Sequence, residues 1–355
     1  MNLYLDNGYV NIRGIIELGL PFNFIVGGRG TGKTYGALQV MEEDRYKFVF
    51  MRRTQMQADM ISTPEYNPYK KLNSDKGWNI GCAKINKMTS GFYEMQNING
   101  KMKPKGEPKA IILALSTIAN MRGFDASDYE ILLYDEFIPE SHERPIKEEG
   151  KAFKNAYETI NRNRELDGYK PVQCICLANS NTMTNALFLE LGLVKKAEEM
   201  RRRKQEYSIM KERGIGLFVL RDSDISEKKA DTALYKLGGS DEFNRMALSN
   251  EFVSDEIGRI KSRNLLEYRA IVTVGEITIY KHKSKPLLYV STHLSGTCPQ
   301  FGSGDIDRSR FKKKFFWLWS SYMKNNIEFE EYLCEILFNK YFYRGLVVRR
   351  KPRKG

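Results

Sequence analysis

Residues 24–37, FIVGGRGTGKTYGA, open on an apolar run and pass through closely spaced glycines to a lysine and a threonine. Gly27, Gly28, Arg29, Gly30, Thr31, Gly32, Lys33 and Thr34 satisfy G-x-x-x-x-G-K-[ST], the P-loop or Walker A pattern. The chemistry needs these residue types. Glycines let successive backbone N–H groups turn inward and form an anion nest, which bulky side chains would block. Lys33 then reaches the β- and γ-phosphates of a nucleotide such as ATP, and Thr34 supplies a hydroxyl to Mg²⁺. A helix starting near Lys33 adds the positive end of its dipole. The setting agrees: 22–26 reads as a strand, and 35–41 can continue as a helix.

A P-loop needs an acidic partner. YEILLYDEF places Asp135 and Glu136 directly after Ile131, Leu132, Leu133 and Tyr134. A continuous apolar run suits a central parallel strand buried on both faces. Its C-terminal end lies where open α/β sheets bind ligands. Asp135 is expected to partner Mg²⁺ through water, and Glu136 to polarise the attacking water. Nucleotide-binding switches often lack such a base, so Glu136 argues for hydrolysis.

Hydrophobic residues make up 41% of the 355, which sets the chain among globular proteins rather than disordered ones. No apolar run approaches the ~20 residues of a membrane span. MNLYLDNGYV lacks the basic start and apolar core of a signal peptide, so a cytoplasmic protein is expected. Five cysteines imply no disulfide framework, and Cys174 and Cys176, two apart on a strand, read as packing. The net charge of +13 is the footprint expected of a nucleic-acid partner. Basic runs fall at 201–204, 312–314 and 349–355.

Apolar runs at 22–26, 47–51, 110–115, 130–134, 172–177 and 215–220 alternate with helical or polar stretches, which argues for an α/β sheet. Residues 84–109 are polar, with NING as a hairpin turn, and read as an antiparallel excursion beside that sheet. The expected organisation is a P-loop (ASCE-type) NTPase domain over 1–222, with a mostly parallel sheet flanked by helices. A linker or hinge region follows over 223–255. A smaller C-terminal α+β domain occupies 256–355, with strands in hairpin arrangement and then helix from about residue 307 to 342.

Further polar residues sit at strand ends. Arg52 and Arg53 follow the second strand, and contact with nucleotide or DNA is no more expected for them than plain solvation. Arg122 and Gly123 precede the acidic strand. NRNRE, with Arg162 and Arg164, leads into CICLANS, whose strand ends at Asn179. An asparagine there can hydrogen-bond the attacking water or γ-phosphate, or simply cap a turn.

VGGRGTGKT, RR after the second strand, RG ahead of LLYDEF, and NRNRE running into CICLANS together resemble a phage DNA-packaging ATPase of the phi29 type, related to terminase large-subunit ATPases. The resemblance covers roughly residues 22–220. It implies an ATP-driven translocase of double-stranded DNA, working as a ring, pentameric, docked on the portal or connector of an empty prohead. In the phi29 type a prohead RNA lies between motor and capsid. It implies work in the host cytoplasm, transiently at the portal vertex, and absence from the mature virion. By the same resemblance Arg162 matches a trans-acting arginine finger, with Arg164 its competitor, and Asn179 the coupling or sensor position.

Large terminases also carry an RNase H-like nuclease. Cleavage with two metals needs several carboxylates converging on ions ~4 Å apart. YRAIVTV and ITIYKHK offer no acids at alternate positions, and Asp305 and Asp307 sit in what reads as a glycine-rich loop. The C-terminal domain therefore reads as a vestigial nuclease fold that binds DNA, RNA or portal. Two other readings stay open: an active terminase that also cuts, and a nucleotide-dependent binding module of the partition type.

Overall fold

In the computed structural model the chain forms two compact units, Met1–Ser254 and Asp255–Gly355. The structure describes residues 1–86, 89–121, 126, 128–140, 143, 146, 148–180, 185–221, 233, 259–324 and 326–342. Almost all of the expected hinge, Arg122 with Gly123, and the basic tail lie outside them.

The first unit runs α1 (Ile12–Ile16), β1 (Phe22–Val26), α2 (Lys33–Glu43), β2 (Phe48–Arg52), α3 (Gln55–Ile61) and α4 (Lys70–Lys76). It continues with β3 (Ile80–Lys84), β4 (Ser90–Ile98), β5 (Lys101–Ala114), β6 (Ile131–Asp135) and α5 (Glu149–Asn161). It closes with β7 (Gln173–Ala178), α6 (Ala186–Glu190), α7 (Val194–Arg202), β8 (Tyr207–Met210) and β9 (Ile215–Val219). Among the described residues these strands form one sheet in the order β3-β4-β5-β2-β6-β7-β1-β9-β8. From β5 to β9 the neighbours run parallel, and β3, β4 and β8 add antiparallel edges.

Burial on both faces explains the unbroken apolar strands. On one face Phe24 meets Phe137, Phe153 and Phe188 at centroid distances of 5.7, 6.5 and 5.8 Å. On the other, Ile25, Phe50, Leu133 and Ile175 share a core with Ala37, Leu38 and Met41 of α2. The β4–β5 hairpin turns through Asn99 and Gly100, both with positive φ (54° and 79°), as a two-residue type I′ turn needs. β5 is longer than the apolar 110–115 run, because its first half is an exposed arm with no apolar pattern to read.

The second unit holds β10 (Tyr268–Val274), β11 (Ile277–His282), β12 (Leu288–Ser291), β13 (Gln300–Phe301), α8 (Asp305–Lys314), α9 (Phe316–Met323), β14 (Ile327–Phe329) and α10 (Tyr332–Phe342). Its sheet order is β13-β10-β11-β12-β14, an α+β arrangement with the helices packed over Val272, Val274, Ile277 and Ile279. Two expectations are corrected. The stretch from 307 to 342 is not continuous helix, since β14 interrupts it. Asp305 and Asp307 are not in a loop but in the first turn of α8, where acids complement the helix dipole. Asp307 also accepts the Gly302 N–H at 3.1 Å. No described helix is long and apolar enough to cross a membrane.

Candidate nucleotide site

β1 ends at Val26, and the chain turns at once between its two neighbours. Gly27 N–H donates to Ala178 O at 3.2 Å, and Leu220 N–H to Val26 O at 2.8 Å. A Cβ on Gly27 would lie 2.6 Å from Leu220 Cβ, so the close approach requires glycine. Gly32, at the N-terminal end of α2, has φ 79°, and a side chain there would also strike the Tyr9 ring. The loop folds around Lys33. Its ammonium donates to Gly27 O at 2.9 Å, Gly28 O at 2.7 Å and Thr31 Oγ1 at 3.2 Å. Tyr9 and Tyr35 stack at 6.4 Å beside it.

Sheet order assembles the rest. β7 lies between β1 and β6, so the residue after β7 falls between the glycine loop and the two acids. That residue is Asn179, whose Oδ1 is 3.5 Å from Lys33 Nζ. Asp135 ends β6, and its Oδ1 accepts the Thr34 hydroxyl at 2.9 Å. Together Gly30, Lys33, Thr34, Asp135, Glu136 and Asn179 line a cleft of about 230 Å³.

Glu136 adopts φ 58°, a left-handed conformation that costs a non-glycine residue about 1–3 kcal/mol. Half of its side chain meets solvent. Even so, desolvation by the surrounding protein holds its carboxyl above the usual range, with Arg52 pulling it down and Asp135 adding to the rise. Arg29 of the loop pairs with Glu140.

Arg162 stands elsewhere. β6 and β7 run parallel, and α5 carries the chain back from the C-terminal ends of the strands to their N-terminal ends. Arg162 follows α5, where Asn161 Oδ1 accepts the Val172 N–H at 2.8 Å just before β7 begins. It is exposed, at φ 44°, on the rim opposite the cleft. A strand of this length separates the rims by about 16 Å. Arg164 turns inward, donating to Lys170 O at 3.1 Å and Tyr129 O at 3.3 Å.

The sequence places the glycine loop, Asp135, Glu136 and Asn179 together, as the structure does. It names Arg52 but not its partners: the guanidinium pairs with Asp135 at 2.9 Å and with Glu136. Nor does it give the setting of Arg53, which is fully buried and bonds Glu149 at 2.7 and 3.0 Å and Glu143 at 2.8 Å. A double arginine at a parallel strand end was the available signal. The basic runs are partly spent on the fold. Arg203 pairs with Glu199 at 3.0 Å, and Lys312 donates to Phe342 O at 2.5 Å.

Residues 7–297 match the family described as podovirus DNA encapsidation protein (Gp16). The DNA packaging protein of Bacillus phage PZA is 27% identical over 280 residues, covering 76% of this chain and 74% of its own. That of Bacillus phage B103 is 26% identical over 340 residues, covering 89% and 94%. The solved phi-28 gp11 DNA packaging motor shares the fold, with a TM-score of 0.60 and 18% identity over 95% of this chain and 97% of that one. The match spans the glycine loop, both acids and the NRNRE segment: the chain belongs to the podovirus DNA encapsidation protein (Gp16) family.

Proposed function

We propose that this chain is the ATPase of a phage DNA-packaging motor, hydrolysing ATP to drive double-stranded DNA into a preformed prohead. The observation that carries the reading is the order β6-β7-β1. It sets Glu136, Asn179 and Lys33 side by side at one cleft.

The roles follow from position. Thr34 and Asp135 present hard oxygen donors meeting at 2.9 Å, the chemistry Mg²⁺ takes, and these residues would hold it, Asp135 through water. Bound there, the cation would offset charge on the β- and γ-phosphates. Gly27 to Gly32 offer backbone N–H groups to the phosphates, and Lys33 moves its ammonium from loop carbonyls onto them. Glu136 polarises the attacking water, and its raised carboxyl range suits a proton acceptor. Asn179 hydrogen-bonds that water or the γ-phosphate and registers its departure.

Arg162 cannot serve its own cleft from the opposite rim, so it serves a neighbour's. Such a contact is heterologous and closes into a ring when its rotation allows. The ring is pentameric and docks on the portal of the prohead, with a prohead RNA as a further candidate partner. It works in the host cytoplasm, transiently at the portal vertex, and is absent from the mature virion. The C-terminal unit serves binding, not cutting. Its inward β10 and β11 positions carry Val272, Val274, Ile277 and Ile279, and among the described residues no His, Cys, Asp or Glu groups converge as metal ligands would.

Mixing Lys33→Ala with Arg162→Ala subunits tests this reading. Each variant alone is expected to be inactive in DNA-stimulated hydrolysis. In an equal mixture about a quarter of the interfaces combine an intact Lys33 with a neighbour's intact Arg162, so activity returns. Assembled mixed rings with no recovery at any ratio would refute a trans-acting arginine.

A further inference from the structure

The pairing of Arg52 with both acids carries a consequence for how the cation enters. Arg52 is the last residue of β2, beside β6, with Met51 in register with Tyr134. Its guanidinium lies between two carboxylates, NH1 on Asp135 Oδ2 at 2.9 Å and NH2 on Glu136. The Arg52 and Asp135 side chains are only 12% and 6% exposed, so water screens their attraction poorly. Both Asp135 oxygens are already engaged, Oδ2 by Arg52 and Oδ1 by the Thr34 hydroxyl. The Arg52 Nε is buried with no hydrogen-bond partner, so two of the guanidinium's edges are satisfied at the expense of the third. Arg53 next door differs, its Nε bonded to Glu149 with further bonds to Glu149 and Glu143.

We propose that Arg52 is a positioning residue that competes with the divalent cation for Asp135 and, by the same contact, holds Glu136. The proposal rests on the roles given above to those two acids. One positive charge on the guanidinium and two on the cation cannot share Asp135 without repulsion. Bringing the cation to Thr34 and Asp135 therefore loosens Arg52, and Arg52 gives up Glu136 in the same movement. Release of the base is thereby tied to arrival of the metal, not to nucleotide contact alone.

The probe is Mn²⁺, followed by electron paramagnetic resonance on the full chain without nucleotide. Arg52→Gln is expected to tighten Mn²⁺ binding on the order of tenfold, since one cation's repulsion and competition are removed. The Mg²⁺ concentration for half-maximal ATP turnover should fall in parallel. Asp135→Asn is the control for location, and it should abolish the tight Mn²⁺ signal in either background. Unchanged or weaker Mn²⁺ binding in Arg52→Gln overturns the proposal, because a merely structural arginine would give that result. Arg52→Lys keeps the charge but loses the fork that spans both acids, and a smaller tightening is expected. If Arg52→Gln fails to fold, Lys decides, and unchanged binding again overturns the idea. Glu136→Gln in the same series separates the two readings. Turnover at the parent rate there removes the base assignment, whereas a dead Glu136→Gln with an unmoved Arg52→Gln removes only the competition.

Discussion

Asp135 and Glu136 stand side by side at the end of a buried strand in the first unit, and one arginine with an unsatisfied Nε holds them together. In the second unit Glu328 and Glu330 are instead each tied to their own sheet. Glu328 takes a bidentate bond from Arg263 at 2.7 and 2.8 Å, which holds its carboxyl below the usual range. Burial works against the Glu330 carboxylate, yet bonds from Ser291 and Thr292 at 2.7 and 3.1 Å keep it lowered as well. The contrast separates two uses of the same group. A carboxylate satisfied by its own fold stabilises that fold. Two carboxylates forced together at a strand end, one on a left-handed residue, do not serve their own fold in that way.

The largest way to break this contrast lies at Arg162. Arg162→Ala should cut DNA-stimulated hydrolysis by about 10³-fold while ATP binding persists. Arg164→Ala should do far less, because its guanidinium serves the carbonyls of Lys170 and Tyr129. Steady-state turnover beside nucleotide titration reads both, and a larger loss for Arg164 would exchange the two assignments. Glu136→Gln should follow, with turnover down by about 10²-fold or more and binding kept.

The second unit sharpens the comparison through stability. Glu328→Gln should cost about 1 kcal/mol in that unit at neutral pH, measured by thermal unfolding. The sign follows from its lowered carboxyl. The contribution is present above the ordinary glutamate value of 4.5 and is lost as pH falls through the lower folded value. Parent and variant should therefore converge in acid, and a gap that widens there would contradict the assignment. The smallest expected effect is at Asp305 and Asp307. Changing either to Asn should leave supercoiled plasmid intact with Mg²⁺ or Mn²⁺, as in the parent, and should shift stability by a few tenths of a kcal/mol. Nicking by the parent that vanishes in these variants would return the unit to the nucleases.

Much of this was legible because it is local. The glycine loop and the two acids depend on residue type within a few positions, and strands buried on both faces, such as β6, announce themselves as unbroken apolar runs. The first half of β5 gave no such sign, being exposed, and the three residues of β14 are too few to show a period. Arg52 could be named from the sequence, but its partners were out of reach for another reason. Its partners lie 83 and 84 residues away, and only the placement of β2 beside β6 brings them together. The same holds for Arg162, whose rim depends on strand direction and not on its own neighbours in sequence.

Arg53 leads to a last consequence. It grips Glu149 in the first turn of α5, while Asn161 at the other end is bonded to Val172. The 13 residues from Glu149 to Asn161 make a strut about 20 Å long, fastened at both rims of the sheet. One peptide bond joins Arg53 to Arg52. The far end of the strut carries Arg162. If Arg162 serves a neighbour's cleft as proposed, one helix joins the place where a subunit holds its own acids to the arginine it would lend.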